Sequence, residues 1–393
     1  MVKAGKTLRQ EQIDQIVASS RPERLLDPSK RPIPGDHSAH VVQLVRWGHP
    51  TLAADHLLFP EITGALPGVV AGVIRQLNIR FVQARLRAGD PEAEAARKVR
   101  DRQFAYEALL EMVLNFSGLE SRWLDAEERR EAIRSIQAAL AEWEAAEATE
   151  GRISVAAAVV RQLLNRMKLV QKGGSMVAKT AARIGEALDF GKPVLLEFLR
   201  KAQAEIEGNI YSRLIREGRC RFGNDYALGL RWLRHLGFEQ VSTNPVLAAR
   251  AYQDDPTLGE IFRLDVRSHR KFREWARDPQ KHSDEIALYA TLLALWDNLH
   301  VYRPIFFTLA DSSGGGVVSF QLNPNIAHLV EESIQDVFAA FAEATEDLRV
   351  YDDYLLAGYR ATRERARPNM VIKVAASSSA AREIARTINT FGF

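Results

Sequence analysis

The sequence predicts an α/β protein in which an all-α helical region precedes a parallel-sheet segment, and three observations carry that reading. From about Pro67 to Arg219, apolar residues recur every three to four positions between capping signals. After about Glu217, short apolar or β-branched runs alternate with helix-length stretches, the pattern of βα units. At 393 residues and 46% hydrophobic the chain can bury a substantial core, as two domains or one large one.

Residues 1–63 read as an extended N-terminal arm. After a short polar helix, Pro28, Pro32, Pro34, Gly35, Gly48 and Pro50 interrupt regular structure between Asp27 and His56. Four of the nine histidines, His37, His40, His49 and His56, lie in this stretch near Asp36 and Asp55. No cysteine accompanies them and their spacing matches no familiar ligand set, so they read as surface or packing residues and no metal is expected.

Residues 64–215 read as a helical domain of four to six packed helices. Asp125 with Glu128 fits a capping box, and Ser154 precedes the amphipathic stretch VAAAVVRQLLNRMKLV. The segment AEERREAIRSIQAALAEWEAAEAT, Ala126 to Thr149, combines high helix propensity with opposite charges four residues apart, as a solvated helix face does.

In residues 216–393 the runs Gly237 to Asn244, Val317 to Leu322 and Met370 to Val374 read as strands. The aromatic residues Trp296, Tyr302, Phe306 and Phe307 of ALWDNLHVYRPIFFTL suit a helix packed on the sheet. Gly314 to Gly316 precedes a strand and has no following Lys-Ser/Thr, so it reads as a tight turn rather than a phosphate loop.

Charge and composition exclude several classes. Lys and Arg number 53 against 50 for Asp and Glu, a net +3 spread along the chain, which gives no reason to expect nucleic acid. The weakly polar run Ala65 to Ile74 is far shorter than the ~18 apolar residues of a membrane span. Cys220 is the single cysteine, and Met1 to Gln12 lacks the apolar core of a secretory signal, so a soluble, cytoplasmic protein is expected.

The peptide RPNMVIKVAASSS, Arg367 to Ser379, sets Lys373 in an apolar strand, where an ammonium in a dry interior must snorkel, pair or work. Facing a barrel interior, such a lysine would lose its proton more readily and could attack a ketone to form a Schiff base. Upstream, Val241-Ser242-Thr243-Asn244-Pro245 closes a strand run, and Asp225, in RFGNDYALGLRWLRHLGF, stands 19 positions before Asn244. Gln321 lies in the glycine-led segment Gly314 to Pro324, GGGVVSFQLNP.

Taken in order, these segments resemble the transaldolase family of the class I aldolase superfamily over about residues 216–393. The resemblance implies a partial (β/α)8 TIM barrel of about four βα units, since the family's next strand would begin where the sequence ends, near Asn389 to Phe393. It implies Lys373 as the Schiff-base lysine, Asp225 (or Asn224 in a shifted register) as the acid/base for carbon-carbon cleavage, and Asn244, Thr243 and Ser377 as substrate-binding residues. Typical transaldolases carry a glutamate where this chain has Gln321, which cannot ionise. The fructose-6-phosphate aldolase branch has glutamine there, so aldol cleavage stands beside dihydroxyacetone transfer. A truncated barrel acting as an interaction subunit is the third reading. The expected partners are sugar phosphates, with no cofactor, and either a second copy or a partner chain completing the barrel.

Overall fold

In the computed structural model the described residues are 8–20, 25, 27, 29–87, 89–118, 124–150, 154–309, 314–360, 363–375 and 379–391. The chain is mostly helical. It opens with α1 (Gln10–Ser19), α2 (His37–Arg46), α3 (Pro50–Asp55), α4 (Leu66–Gln83), α5 (Glu92–Gly118), α6 (Ala126–Glu150) and α7 (Val155–Lys168). Three further helices follow: α8 (Met176–Glu186), α9 (Leu195–Gly208) and α10 (Ile210–Arg216). Then come β1 (Gly223–Asn224), α11 (Leu230–His235), β2 (Gln240–Ser242), α12 (Pro245–Asp254), α13 (Pro256–Asp265), α14 (Phe272–Arg277) and α15 (Ser283–Leu309). The chain closes through β3 (Val317–Gln321), α16 (Val330–Leu355), β4 (Met370–Lys373) and α17 (Ala381–Thr390).

The expected helical domain spans α4 to α10, more helices than the four to six read from periodicity. Its caps follow local chemistry. Ser154 and Ser175 accept the amides of Ala157 and Ala178 at 3.0 Å, closing the first turns of α7 and α8. Asp125 Oδ1 accepts from Glu127 and Glu128 at the start of α6. The capping box expected there is half made, because the Glu128 carboxylate turns away to accept the Gly64 amide at 2.9 Å.

The extended arm is the expectation the structure corrects. Residues 37–55 form α2 and α3, since Asp36 caps α2 by accepting from Ala39 at 2.9 Å and Pro50 begins α3, where its missing N–H is no loss. Val41, Leu44 and Leu52 are buried. One apolar core runs from Ile13 through the helical region to Ile388, so the three segments read from the sequence share it.

The histidines of the arm pin it to the end of α16. His40 Nε2 donates to the Tyr354 carbonyl at 2.7 Å and Nδ1 accepts the Ile33 amide at 3.2 Å. His56 Nδ1 donates to the Leu355 carbonyl at 2.8 Å, which leaves Nε2 to accept from His37 Nδ1 at 3.0 Å. Tyr359 donates its hydroxyl to the His56 carbonyl at 2.9 Å.

The sheet is four-stranded and parallel, in the order β1-β2-β3-β4, each strand beside the next in sequence. Alternation divides its side chains. Val241, Val318, Phe320 and Met370 are buried on one face. Ser242, Ser319, Gln321, Val371 and Lys373 share the other face, half-buried or exposed, with Val371 46% accessible. Helix α15 lies along β3, with Tyr302 and Phe306 buried. Trp296 and Phe307 also pack against the main core, Trp296 touching in addition the small cluster of Trp275, Tyr289 and Leu293, and Phe307 meeting Phe59 of the arm at 6.1 Å between centroids.

Candidate active site

Of the residues singled out in the sequence, Asp225, Thr243, Asn244, Gln321 and Lys373 lie at the C-terminal ends of the four strands, the edge where α/β folds commonly carry their sites. What sets the register of β4 is a buried ionic cluster at its opposite end. Arg303, fully buried on α15, grips Asp352 of α16 with Nε and Nη2 at 2.8 and 2.6 Å and donates to Asn369 Oδ1 at 3.2 Å. Asn369 Nδ2 donates in turn to the carbonyls of Gly316 and Leu299 at 2.8 and 3.2 Å. With Asn369 held against the start of β3, Met370 falls opposite Val318 and Lys373 opposite Gln321.

Lys373 therefore ends β4 beside Gln321, and its Nζ reaches past β3 to lie 3.5 Å from Ser242 Oγ, the outer limit of a hydrogen bond. Its side chain is exposed. The dry interior expected around it is not present, because the sheet face it shares with Val371 is open.

The β2 end carries two predicted residues in different states. Thr243 is buried, 1% accessible, and its Oγ1 has no hydrogen-bond partner among the described residues. Asn244 caps α12, Oδ1 accepting the Leu247 amide at 2.9 Å. Pro245 follows at the first helical position, so it starts α12 as well as stopping the strand.

At β1 the pairing separates the two acid/base candidates. Asn224 stands opposite Val241 on the covered face, and its Nδ2 donates to the Tyr226 carbonyl at 2.7 Å. Asp225 is the first residue past the strand and is exposed. Strands β1 and β4 are three spacings apart, about 14 Å along the sheet. Pairing thus makes Gln321 a direct neighbour of Lys373 and leaves Asp225 on the far strand. Ser377 lies outside the described residues.

Sequence reading missed Ser242 and Ser319 as polar members of this face. The signal was available in the period-two alternation Val317-Val318-Ser319-Phe320-Gln321, whose even positions are buried.

Among the described residues no group of three or more His, Cys, Asp or Glu side chains is placed to hold a metal ion, and no helix is long and apolar enough to cross a membrane. Comparison of the chain with protein families, with curated proteins and with solved structures found no match to any of them.

Proposed function

We propose that this strand-end edge is a Schiff-base site of transaldolase type on a partial TIM barrel, transferring a dihydroxyacetone unit between sugar phosphates. The observation that carries the reading is the placement of Lys373 on an open polar sheet face, beside Gln321 and 3.5 Å from Ser242 Oγ.

The chemistry requires few groups. The Lys373 amine adds to the keto carbon of a sugar phosphate, and loss of water with uptake of one proton from solvent leaves an iminium. Asp225 takes the proton of the hydroxyl on the carbon being released, and the carbon-carbon bond breaks with its electron pair retained as the enamine. The aldehyde leaves. The enamine then adds to a second aldehyde phosphate, whose new alkoxide takes the proton back from Asp225, and water hydrolyses the resulting iminium to free the product and Lys373; in simple aldol cleavage the enamine is instead protonated and hydrolysed. The Asn244 side chain suits a substrate hydroxyl, whereas the Thr243 hydroxyl is closed off by burial; Gln321 suits a water, since an amide orients a water without exchanging its proton. Lys373 Nζ lies against Ser242 of β2, one strand spacing (about 4.8 Å) from β1, which Asp225 follows.

A second reading rests on the exposure of Val371 and Lys373. A sheet with one bare face is the half-barrel expected of a subunit whose partner, a second copy or another chain, supplies the cover.

Borohydride trapping with fructose 6-phosphate, read by peptide mass spectrometry, tests the enzyme reading. A reduced adduct on Lys373, absent from the Lys373→Ala variant, is the expected result. No adduct on folded protein overturns it in favour of the subunit reading.

A further inference from the structure

Away from the sheet edge, two helices of the N-terminal region meet across a groove of about 370 Å³, within the size range of small-molecule sites (~300–1,000 Å³). The spacing of its walls is readable in the sequence. Helix α2 contributes Ala39, Val42, Gln43 and Arg46, positions i, i+3, i+4 and i+7 of one helical face. Helix α4 contributes Gln76, Ile79, Arg80 and Gln83, with the same spacing. Every polar side chain in these two stripes is a glutamine or an arginine, so the walls carry two positive charges and no carboxylate.

Neither guanidinium makes an ion pair within 4 Å among the described residues. Arg46 is exposed and Arg80 half-buried, and burial followed by the proximity of Arg46 pushes the Arg80 pKa down. The carboxylate whose field does reach Arg80 is Asp101, already 2.7 Å from Arg97 Nη1. On the same face, Gln43 Oε1 is buried with no hydrogen-bond partner. A buried acceptor left unmade is costly, and because Gln43 lines the groove a turn of its amide would bring Oε1 to a ligand hydroxyl. Two unneutralised guanidiniums, donor amides and an orphan acceptor suit an anion attached to a hydroxylated body.

We propose that the groove between α2 and α4 binds a small soluble phosphate monoester of a polyol, with Arg46 and Arg80 on the phosphate and a ligand hydroxyl donating to Gln43 Oε1. The proposal is independent of the chemistry assigned to Lys373.

The test is calorimetric titration of the full chain with inorganic phosphate, glycerol 3-phosphate and glycerol. Both phosphates are expected to bind saturably and glycerol not at all. In the double variant Arg46→Gln/Arg80→Gln, which changes one exposed and one half-buried group and keeps their polarity, affinity should fall at least tenfold. Gln43→Leu should weaken glycerol 3-phosphate severalfold and leave inorganic phosphate unchanged. Glycerol 3-phosphate has no carbonyl and cannot form an imine, so failure of the Schiff-base reading leaves this titration unaffected. Equal binding by the double variant overturns the proposal, as does the absence of saturable binding at millimolar ligand on folded protein. Co-sedimentation with phosphatidylglycerol vesicles, without binding of glycerol 3-phosphate, would replace the soluble ester by a lipid headgroup.

Discussion

Asp55 and Arg234, 179 residues apart in the chain, meet as a bidentate pair with neither side chain open to solvent. Arg234 Nη2 donates to Oδ1 at 2.7 Å and Nη1 to Oδ2 at 3.0 Å. Asn115, Glu111, Arg231 and His235 surround them. Burial pushes the Glu111 carboxyl up, but Arg231, His235 and Arg234 together hold it well below the usual carboxylate range. The cluster ties α3 of the arm and α5 of the helical region to α11, the helix after β1.

Removing one member leaves the others charged in a dry site. Asp55→Ala should therefore lower stability by about 3–5 kcal/mol, read from urea or guanidinium midpoints at pH 7. A loss under 1 kcal/mol would mean that water enters the cluster and solvates the two arginines.

The arm histidines give a pH dependence of definite sign. His40 is fully buried, and its pKa is pushed down from 6.5 to about 4 by burial, against the raising influence of the Tyr354 carbonyl. His56 is driven well below 6.5, first by burial and then by His40, while burial also lowers His37 against Asp36 and Glu61. Protonating His40 sets a new Nδ1–H against the Ile33 amide, and protonating His56 sets Nε2–H against the His37 donor. Between pH 6.5 and 4 the unfolded chain binds more protons, so stability is complete above about 6.5 and falls with pH below it. The His40 share is about 3 kcal/mol. Denaturation midpoints across pH 7.5 to 4 should show that slope, and His40→Gln should reduce it.

Thr243 separates stability from function. Its orphan hydroxyl is desolvated without return, so Thr243→Val should stabilise the fold by about 1 kcal/mol. The same variant should leave the yield of borohydride-trapped Lys373 adduct at subsaturating fructose 6-phosphate unchanged, because the Thr243 hydroxyl is closed to a substrate. A reduced yield from the stabilised variant would return Thr243 to the substrate-binding set.

Gly316 marks a close approach. It has φ +76°, and a Cβ added there would lie 2.3 Å from the Phe306 amide nitrogen. Gly316→Ala should cost at least ~2 kcal/mol, since both backbone strain and a clash between α15 and β3 must be relieved. Gly314→Ala, whose Cβ meets nothing within 4 Å, carries the conformational part alone and should cost less.

How much of this the sequence disclosed depends on range. Strands β3 and β4 were legible because Val and Ile are concentrated in short runs that no helical period fits, and β2 because its run ends at Asn244-Pro245. Two-residue, polar β1 left the choice between Asn224 and Asp225 open, and only its pairing with β2 separates them. In the arm, Gly48 and Pro50 were read as interruptions, yet they are the stop after α2 and the first residue of α3. Alternation shows that Lys373 and Ile372 face opposite ways but not whether a layer covers either face, so its exposure could not be read. The pairing of Asp55 with Arg234 is set by tertiary packing, for which no local pattern exists. The groove stripes are periodic and could have been found; they were hidden because glutamine and arginine on a helix face ordinarily denote solvent.

The bonds from the arm to the end of α16 impose an order on synthesis. His40 meets a carbonyl 314 residues downstream, and His56 one that is 299 downstream. The apolar faces of α2 and α3 find α4 and α5 early, but at about 5–20 residues per second these imidazoles wait on the order of 15–60 s for the ribosome to deliver their carbonyl partners. Until then the newborn helices hold two imidazoles without those acceptors, and a chain aborted before residue 350 never supplies them.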